Sequence, residues 1–330
     1  MAFTAKDVQA LREKTGCGMM DCKKALTECN GDMEAATDFL REKGLASQAK
    51  KASRIAAEGT VCAYTDKNVG VVVEINAETD FVANGEEFKA LALKVAKVIA
   101  DQNPADLDAL LKCTENGQTV EEMVQELFLK VRENIKIRRF ARYEGKIVTY
   151  VHAGGKIGVM VKFDTDLDSD NADLVAMGKN VAMQIAAMNP GYLDEASVPA
   201  EVIEKEKEIL IAQMKEDPKM AGKPDAVLGK IVEGKIGKYY KENCLVDQQF
   251  VMDGELTVGK YVEKTAKELG KDIKVSAFVR FEKVRESRNA LMISQAKLQV
   301  WLNNILLFFK RTLNEGALFL SYLIFSVHTF

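Results

Sequence analysis

The sequence predicts an α+β protein whose core is built twice. Three observations carry that expectation. First, Glu58-Gly59-Thr60-Val61 matches Glu144-Gly145-Lys146-Ile147, and Val69-Gly70-Val71-Val72-Val73 matches Ile157-Gly158-Val159-Met160-Val161. Second, each copy is a β-rich segment split by a turn, Asp66-Lys67-Asn68 in one and Gly154-Gly155 in the other, which is the pattern of an antiparallel hairpin. Third, each copy then runs through a polar loop into a helix, 88–102 and 174–188, and each helix ends in Asn-Pro, at Pro104 and Pro190. One offset, 86 residues, relates both the starts (58 to 144) and the ends (104 to 190). Hairpin-plus-helix units of this kind build antiparallel sheets with helices to one side.

In chain order, residues 1–45 read as a three-helix domain. Thr4 opens the first helix with Asp7 three residues on as its capping-box partner, and Gly16 closes it. The second helix runs over 20–29 to the stop Asn30-Gly31. The third starts at Asp32 as N-cap and is expected to end at Gly44. Residues 46–57, with Lys50, Lys51 and Arg54, read as a basic helical linker. Two core subdomains follow, 58–142 and 143–198 plus 241–284, with 105–135 expected helical and 136–141 a strand. Residues 199–240 read as a helical hairpin inserted as an arm, with breaks at Asp217-Pro218 and Gly222-Lys223-Pro224. The strand 274–282 alternates with period two and is expected to rejoin a sheet. The tail 285–330 is different: Trp301 lies there with five phenylalanines, in apolar runs cut by charges and too short for a membrane span.

The chain has 330 residues, 47% of them hydrophobic and 29% charged, enough for two or three domains with real cores. A net charge of -3 gives no electrostatic pull toward nucleic acid or an acidic membrane, and one Trp gives little base-stacking surface. The six cysteines form no CxxC pair and the only histidines are His152 and His328, so free thiols are expected rather than zinc or disulfides. Met1 leads through Ala2, Phe3 and Thr4 into an amphipathic helix with no apolar signal run, so the protein is expected to be soluble and cytosolic.

Catalytic motifs find little support. Gly229 to Lys235 matches seven positions of a phosphate-binding loop, but Ile236 stands where the magnesium-binding hydroxyl is needed, and the stretch reads as helix. His152-Ala153-Gly154-Gly155-Lys156 precedes a strand, and no Ser or Cys has a claim on the histidine. Asp164, Asp166, Asp168 and Asp170 alternate like a calcium loop but lack its glycine and terminal glutamate. No enzyme activity, cofactor or metal is expected. Thr79-Asp80-Phe81-Val82 is the segment that stands out, because Phe81 is a large apolar group in a polar stretch. Burial of Phe81 against its own helix is the ordinary outcome for an aromatic; an Asp–Phe tip presented to a partner is the functional one. The second copy carries Thr165-Asp166-Leu167 at the corresponding place.

Leu11-Arg12-Glu13-Lys14-Thr15-Gly16-Cys17-Gly18-Met19-Met20-Asp21-Cys22-Lys23-Lys24-Ala25-Leu26 resembles the N-terminal signature of bacterial translation elongation factor Ts, and Glu78-Thr79-Asp80-Phe81-Val82-Ala83 resembles its second signature. The resemblance continues through Glu133-Asn134-Ile135-Lys136-Ile137-Arg138-Arg139, His152 with Ile157-Gly158-Val159, and Phe278-Val279-Arg280-Phe281-Glu282, covering about residues 1–284. It implies a ubiquitin-associated-like three-helix domain, a duplicated core and a coiled-coil arm. It also implies release of GDP from elongation factor Tu, bound in its GDP and nucleotide-free states, with room for a 2:2 complex and no direct contact to nucleic acid or membrane. Carried over residue by residue, Thr79, Asp80, Phe81 and Val82 would disturb the partner's Mg²⁺ site, with Phe81 as wedge. Arg12, Met19, Met20, Val131 and His152 would be further partner contacts. Adjacent Met19 and Met20 cannot both face one core, so at least one is free to meet a partner. The tail departs from the family pattern; we attribute it to a shifted reading frame or gene-model error, which an intact mass containing all 330 residues would overturn. Two other readings compete with exchange: a pure binding module and an unrecognised enzyme in the duplicated core.

Overall fold

The computed structural model describes residues 3–216, 223 and 225–283. The arm's breaks at Asp217-Pro218, Gly222 and Pro224, and the apolar tail, lie outside the described residues. Three helices come first: α1 (Ala5–Thr15), α2 (Met19–Glu28) and α3 (Met33–Lys51). Asp7 accepts hydrogen bonds from the Thr4 amide (2.7 Å) and hydroxyl (2.8 Å), and Gly16 caps α1 in the left-handed region. Asp32 caps α3 through the amides of Glu34 and Ala35. Leu11, Cys22, Leu26, Ala36 and Leu40 form the small core of this bundle.

The duplicated region builds two three-stranded antiparallel sheets of the same design. β1 (Glu58–Asp66) and β2 (Val69–Ala77) form a hairpin. The chain then passes through the one-turn helix α4 (Asp80–Ala83), α5 (Glu86–Gln102), α6 (Leu107–Lys112), a small hairpin of β3 (Thr114–Glu115) and β4 (Gln118–Thr119), and α7 (Val120–Val131). β5 (Lys136–Glu144) returns to pair with β2. In the second copy β6 (Lys146–His152) and β7 (Ile157–Thr165) form the hairpin and α8 (Ala172–Met188) is the helix. α9 (Ala200–Glu216) and α10 (Asp225–Asn243) follow, packing on each other through Leu210, Met214, Val232 and Ile236. Then come the short strands β8 (Gln249–Phe250) and β9 (Asp253–Thr257), α11 (Val258–Leu269), and β10 (Ile273–Glu282), which pairs with β7. The strand orders are β1-β2-β5 and β6-β7-β10. α5 and α8 end alike, on Asn103 and Asn189 in the left-handed region, each before its proline.

Two glycines explain how the sheets approach each other. A Cβ on Gly70 would overlap Ile147 Cγ2, and one on Gly158 would overlap Val61 Cγ1. The contact is reciprocal: the glycine on the second strand of each copy receives the branched residue on the first strand of the other. Val61, Val72, Ile147 and Met160 are buried at this junction.

Four expectations need correction. α3 does not end at Gly44 but continues to Lys51, and the rest of the expected helical linker, 52–57, is not helical. Gly44 sits inside the helix because a Cβ there would overlap Leu129 Cδ2 on α7, so its missing side chain serves helix packing rather than a cap. The 105–135 stretch is not continuously helical, since Asn116 and Gly117, both at positive φ, turn the β3–β4 hairpin inside it. The Thr79–Val82 segment is not an open loop but the capped start of α4. Finally, the stretch 249–269 of the second subdomain, expected without a defined element, forms β8, β9 and α11. All six cysteines are free thiols; burial pushes those of Cys62 and Cys244 up to about 11.

Candidate partner-binding site

β2 delivers the chain into α4. Thr79 is extended, with φ −123, and its Oγ1 accepts from the Val82 amide at 3.4 Å. The turn closes by Ala83 N–H to Thr79 O (3.2 Å) and Asn84 N–H to Asp80 O (2.9 Å). Ala83 is buried and Val82 packs on the first sheet's core, so the inner side of the turn is anchored. The outer side carries Asp80 and Phe81. Phe81 is 87% exposed, which overturns the ordinary expectation of burial. A side chain of that size left in water removes apolar area from no core, so its stability contribution is small and its availability to a partner is large.

The turn is held from outside by the segment that follows α7. The Glu133 carboxylate accepts from both the Thr79 amide (2.9 Å) and its hydroxyl (2.7 Å). In return the Glu78 carboxylate accepts from the Asn134 amide at 2.8 Å and pairs with Arg54 at 3.3 Å. Asn134 Nδ2 donates to Ala52 O and Arg54 O. Arg132, at φ 58, donates to Asp21 in the first turn of α2 (2.8 Å), and its carbonyl accepts from Lys51 Nζ (2.6 Å). Thus three consecutive residues, 132 to 134, tie α2, α3, the end of β2 and α4 together.

Met20 is 74% and Met19 46% exposed, so both methionines face solvent at the start of α2. Arg12 is exposed on α1, and Val131, the last residue of α7, is half-buried against the first core. Asp21 beside the methionines and Thr79 beside Phe81 are therefore gripped by adjacent residues of one segment. Arg41 on α3 also pairs with Glu122 on α7; the Thr119 amide and Arg41 hold the Glu122 carboxyl below its ordinary range. His152 stands apart, exposed at the end of β6, with Nδ1 2.9 Å from the Tyr150 hydroxyl. No hydrogen bond joins it to the Phe81 turn among the described residues. The roles of Arg132 and Glu133 are not visible in the sequence; the signals there are a polar cluster between a helix and a strand and, for Glu133, its place in the family-like stretch 133–139.

Elsewhere, Gly229 to Lys235 lies within α10. Among the described residues no group of three His, Cys, Asp or Glu side chains is placed to hold a metal ion, and no helix is long and apolar enough to cross a membrane.

The sequence model of the family described as Elongation factor TS matches residues 78–285, beginning at the Phe81 turn and ending where the apolar tail begins. Elongation factor Ts of Clostridium perfringens (strain 13 / Type A) is 49% identical over 287 residues, covering 85% of this chain and 93% of that protein. Elongation factor Ts of Clostridium botulinum (strain Kyoto / Type A2) is 47% identical over 289 residues, covering 85% and 92%. The chain belongs to the elongation factor Ts family, a family of translation elongation factors.

Proposed function

We propose that this protein is a guanine-nucleotide exchange factor that promotes GDP release from elongation factor Tu. The observation that carries the reading is Phe81, a large aromatic held outward on a capped, externally clasped turn. GDP and Mg²⁺ stabilise each other in a GTPase pocket, so a protein that binds the emptied pocket better must weaken nucleotide by the same coupling free energy. Phe81 acts as wedge and Asp80 engages the polar groups around the metal. Among the described residues Asp80 makes no ion pair that would occupy it first. Arg12, Met19, Met20 and Val131 extend the contact surface, and His152 contributes from the second hairpin. No covalent chemistry and no cofactor are involved: the work is done by differential binding.

In this reading the three-helix domain is ubiquitin-associated-like, α9 and α10 form a coiled-coil arm, and the site of action is the cytoplasm. The partner is bound in GDP-loaded and nucleotide-free states, with a 2:2 complex open to it. The test is release of a fluorescent GDP analogue from elongation factor Tu with and without this protein. Release accelerates in proportion to added protein at low concentration and then saturates. Chelating Mg²⁺ raises the spontaneous rate and narrows the acceleration. A release rate indifferent to the protein defeats the reading.

A further inference from the structure

We infer that Glu133 is a positioning residue for exchange: its carboxylate, in a reciprocal clasp with Glu78, sets the direction in which Phe81 is presented. The inference rests on the exchange reading above and adds to it a residue that acts through Thr79. A four-residue helix has almost no stability of its own, because nucleation fixes several dihedrals for one or two hydrogen bonds. α4 therefore takes its orientation from what holds its ends. Its C-terminal end is held by packing of Val82 and Ala83. Its N-terminal end is held by Thr79, and Thr79 is gripped at two atoms by one carboxylate.

The geometry assigns each hydrogen a direction. The Thr79 hydroxyl donates to Glu133 Oε1, which leaves its lone pairs for the Val82 amide. The Thr79 amide donates to Glu133 Oε2. On the opposite side, the Glu78 carboxylate takes the Asn134 amide, so each chain segment offers a carboxylate to the backbone of the other. Hydrogen bonds to an ionised acceptor are the stronger kind, and two on one carboxylate fix angle as well as distance. Phe81 is two residues from this anchor and has no core contact to correct an error in its direction. A Gln at 133 keeps the size but presents an amide NH₂ where an acceptor is required, so one of the two Thr79 donors loses its partner.

The experiment measures exchange kinetics and backbone protection on the full chain. Glu133→Gln lowers kcat for GDP release about tenfold, the cost of a misdirected group, with KM nearly unchanged. In a Phe81→Ala background the same substitution costs clearly less, because the main side chain it aims is gone and only Asp80 remains on the turn. Thr79→Ser keeps both donors to Glu133 and so keeps wild-type amide protection at Val82. Hydrogen exchange at the Thr79 and Val82 amides becomes faster in Glu133→Gln at unchanged Tm. Losses from Glu133→Gln and Phe81→Ala that multiply, or a rise in KM at constant kcat, overturn the proposal. Should wild-type protein fail to accelerate GDP release, the exchange reading falls by itself. The clasp is then decided by amide protection, and unchanged protection at Val82 in Glu133→Gln refutes it.

Discussion

At the end of β2, Thr79 and Asp80 lead to Phe81; at the end of β7, Thr165 and Asp166 lead to Leu167. The two copies share strand order, hairpin and capping asparagine, yet they dispose of this triplet in opposite ways. Thr165 is still inside the sheet, paired with Ile273, and Leu167 packs on the second core. Thr79 is already past the sheet, whose last β2–β5 partners are Asn76 and Lys136, and Phe81 points into solvent. The side chain that meets each turn comes from just before the third strand. In the first copy it is the anion Glu133, which takes the threonine and leaves the aspartate free. In the second it is the cation Lys271, which pairs with Asp166 at 2.8 Å. One charge of opposite sign therefore decides whether the acidic residue is occupied within the fold or left for a partner.

The largest expected separation of the copies comes from matched truncations. Phe81→Ala abolishes most of the exchange activity and leaves Tm unchanged, since the ring is in water. Leu167→Ala leaves exchange intact and lowers stability by about 1 kcal/mol, as expected for losing a half-buried aliphatic side chain. Thermal melts and GDP-release rates on both variants check the crossing; a Tm loss in Phe81→Ala would mean that the ring is part of a core. Next, Gly70→Ala and Gly158→Ala test the reciprocal sheet junction. Each forces a methyl into a buried branched side chain of the other copy and costs about 2 kcal/mol in denaturant unfolding. A large effect at one glycine and none at the other would break the symmetry of that junction.

The smallest effect is at Lys271. Its hydrogen bond and charge hold the Asp166 carboxyl below the ordinary aspartate range. A carboxyl whose folded pKa is depressed stabilises the fold above its unfolded pKa and loses that contribution as pH falls through the folded value. Lys271→Ala therefore lowers Tm slightly at neutral pH, and the difference from wild type vanishes in acid. Raised salt shrinks it too, because the pair is exposed. Equal differences at neutral and acidic pH would show that Lys271 acts through packing instead.

Much of this comparison can be read from residues in sequence. The strand runs, the turns at Lys67 and Gly154, and the Asn-Pro helix ends are local signals, and the structure places elements on all of them. Asn116-Gly117 was an equally local hairpin signal inside a stretch read as helix. Val258, Val262 and Ala266, spaced four apart between Thr257 and Gly270, were enough to mark α11. Other features have no local cause. Gly44 reads as a helix stop until Leu129 is seen against it. Phe81 reads as a buried aromatic until Val82 and Ala83 are seen to take the inward side of its turn. The role of Glu133 becomes plain only when α7 brings it to Thr79, across 54 residues of the first copy.

The most direct measurement is the split between kcat and KM for Phe81→Ala, titrated against GDP-loaded elongation factor Tu alongside wild type. A wedge acts in the step that expels nucleotide, so kcat falls about a hundredfold while KM changes little. A rise in KM with kcat preserved would make Phe81 an anchor and contradict the account.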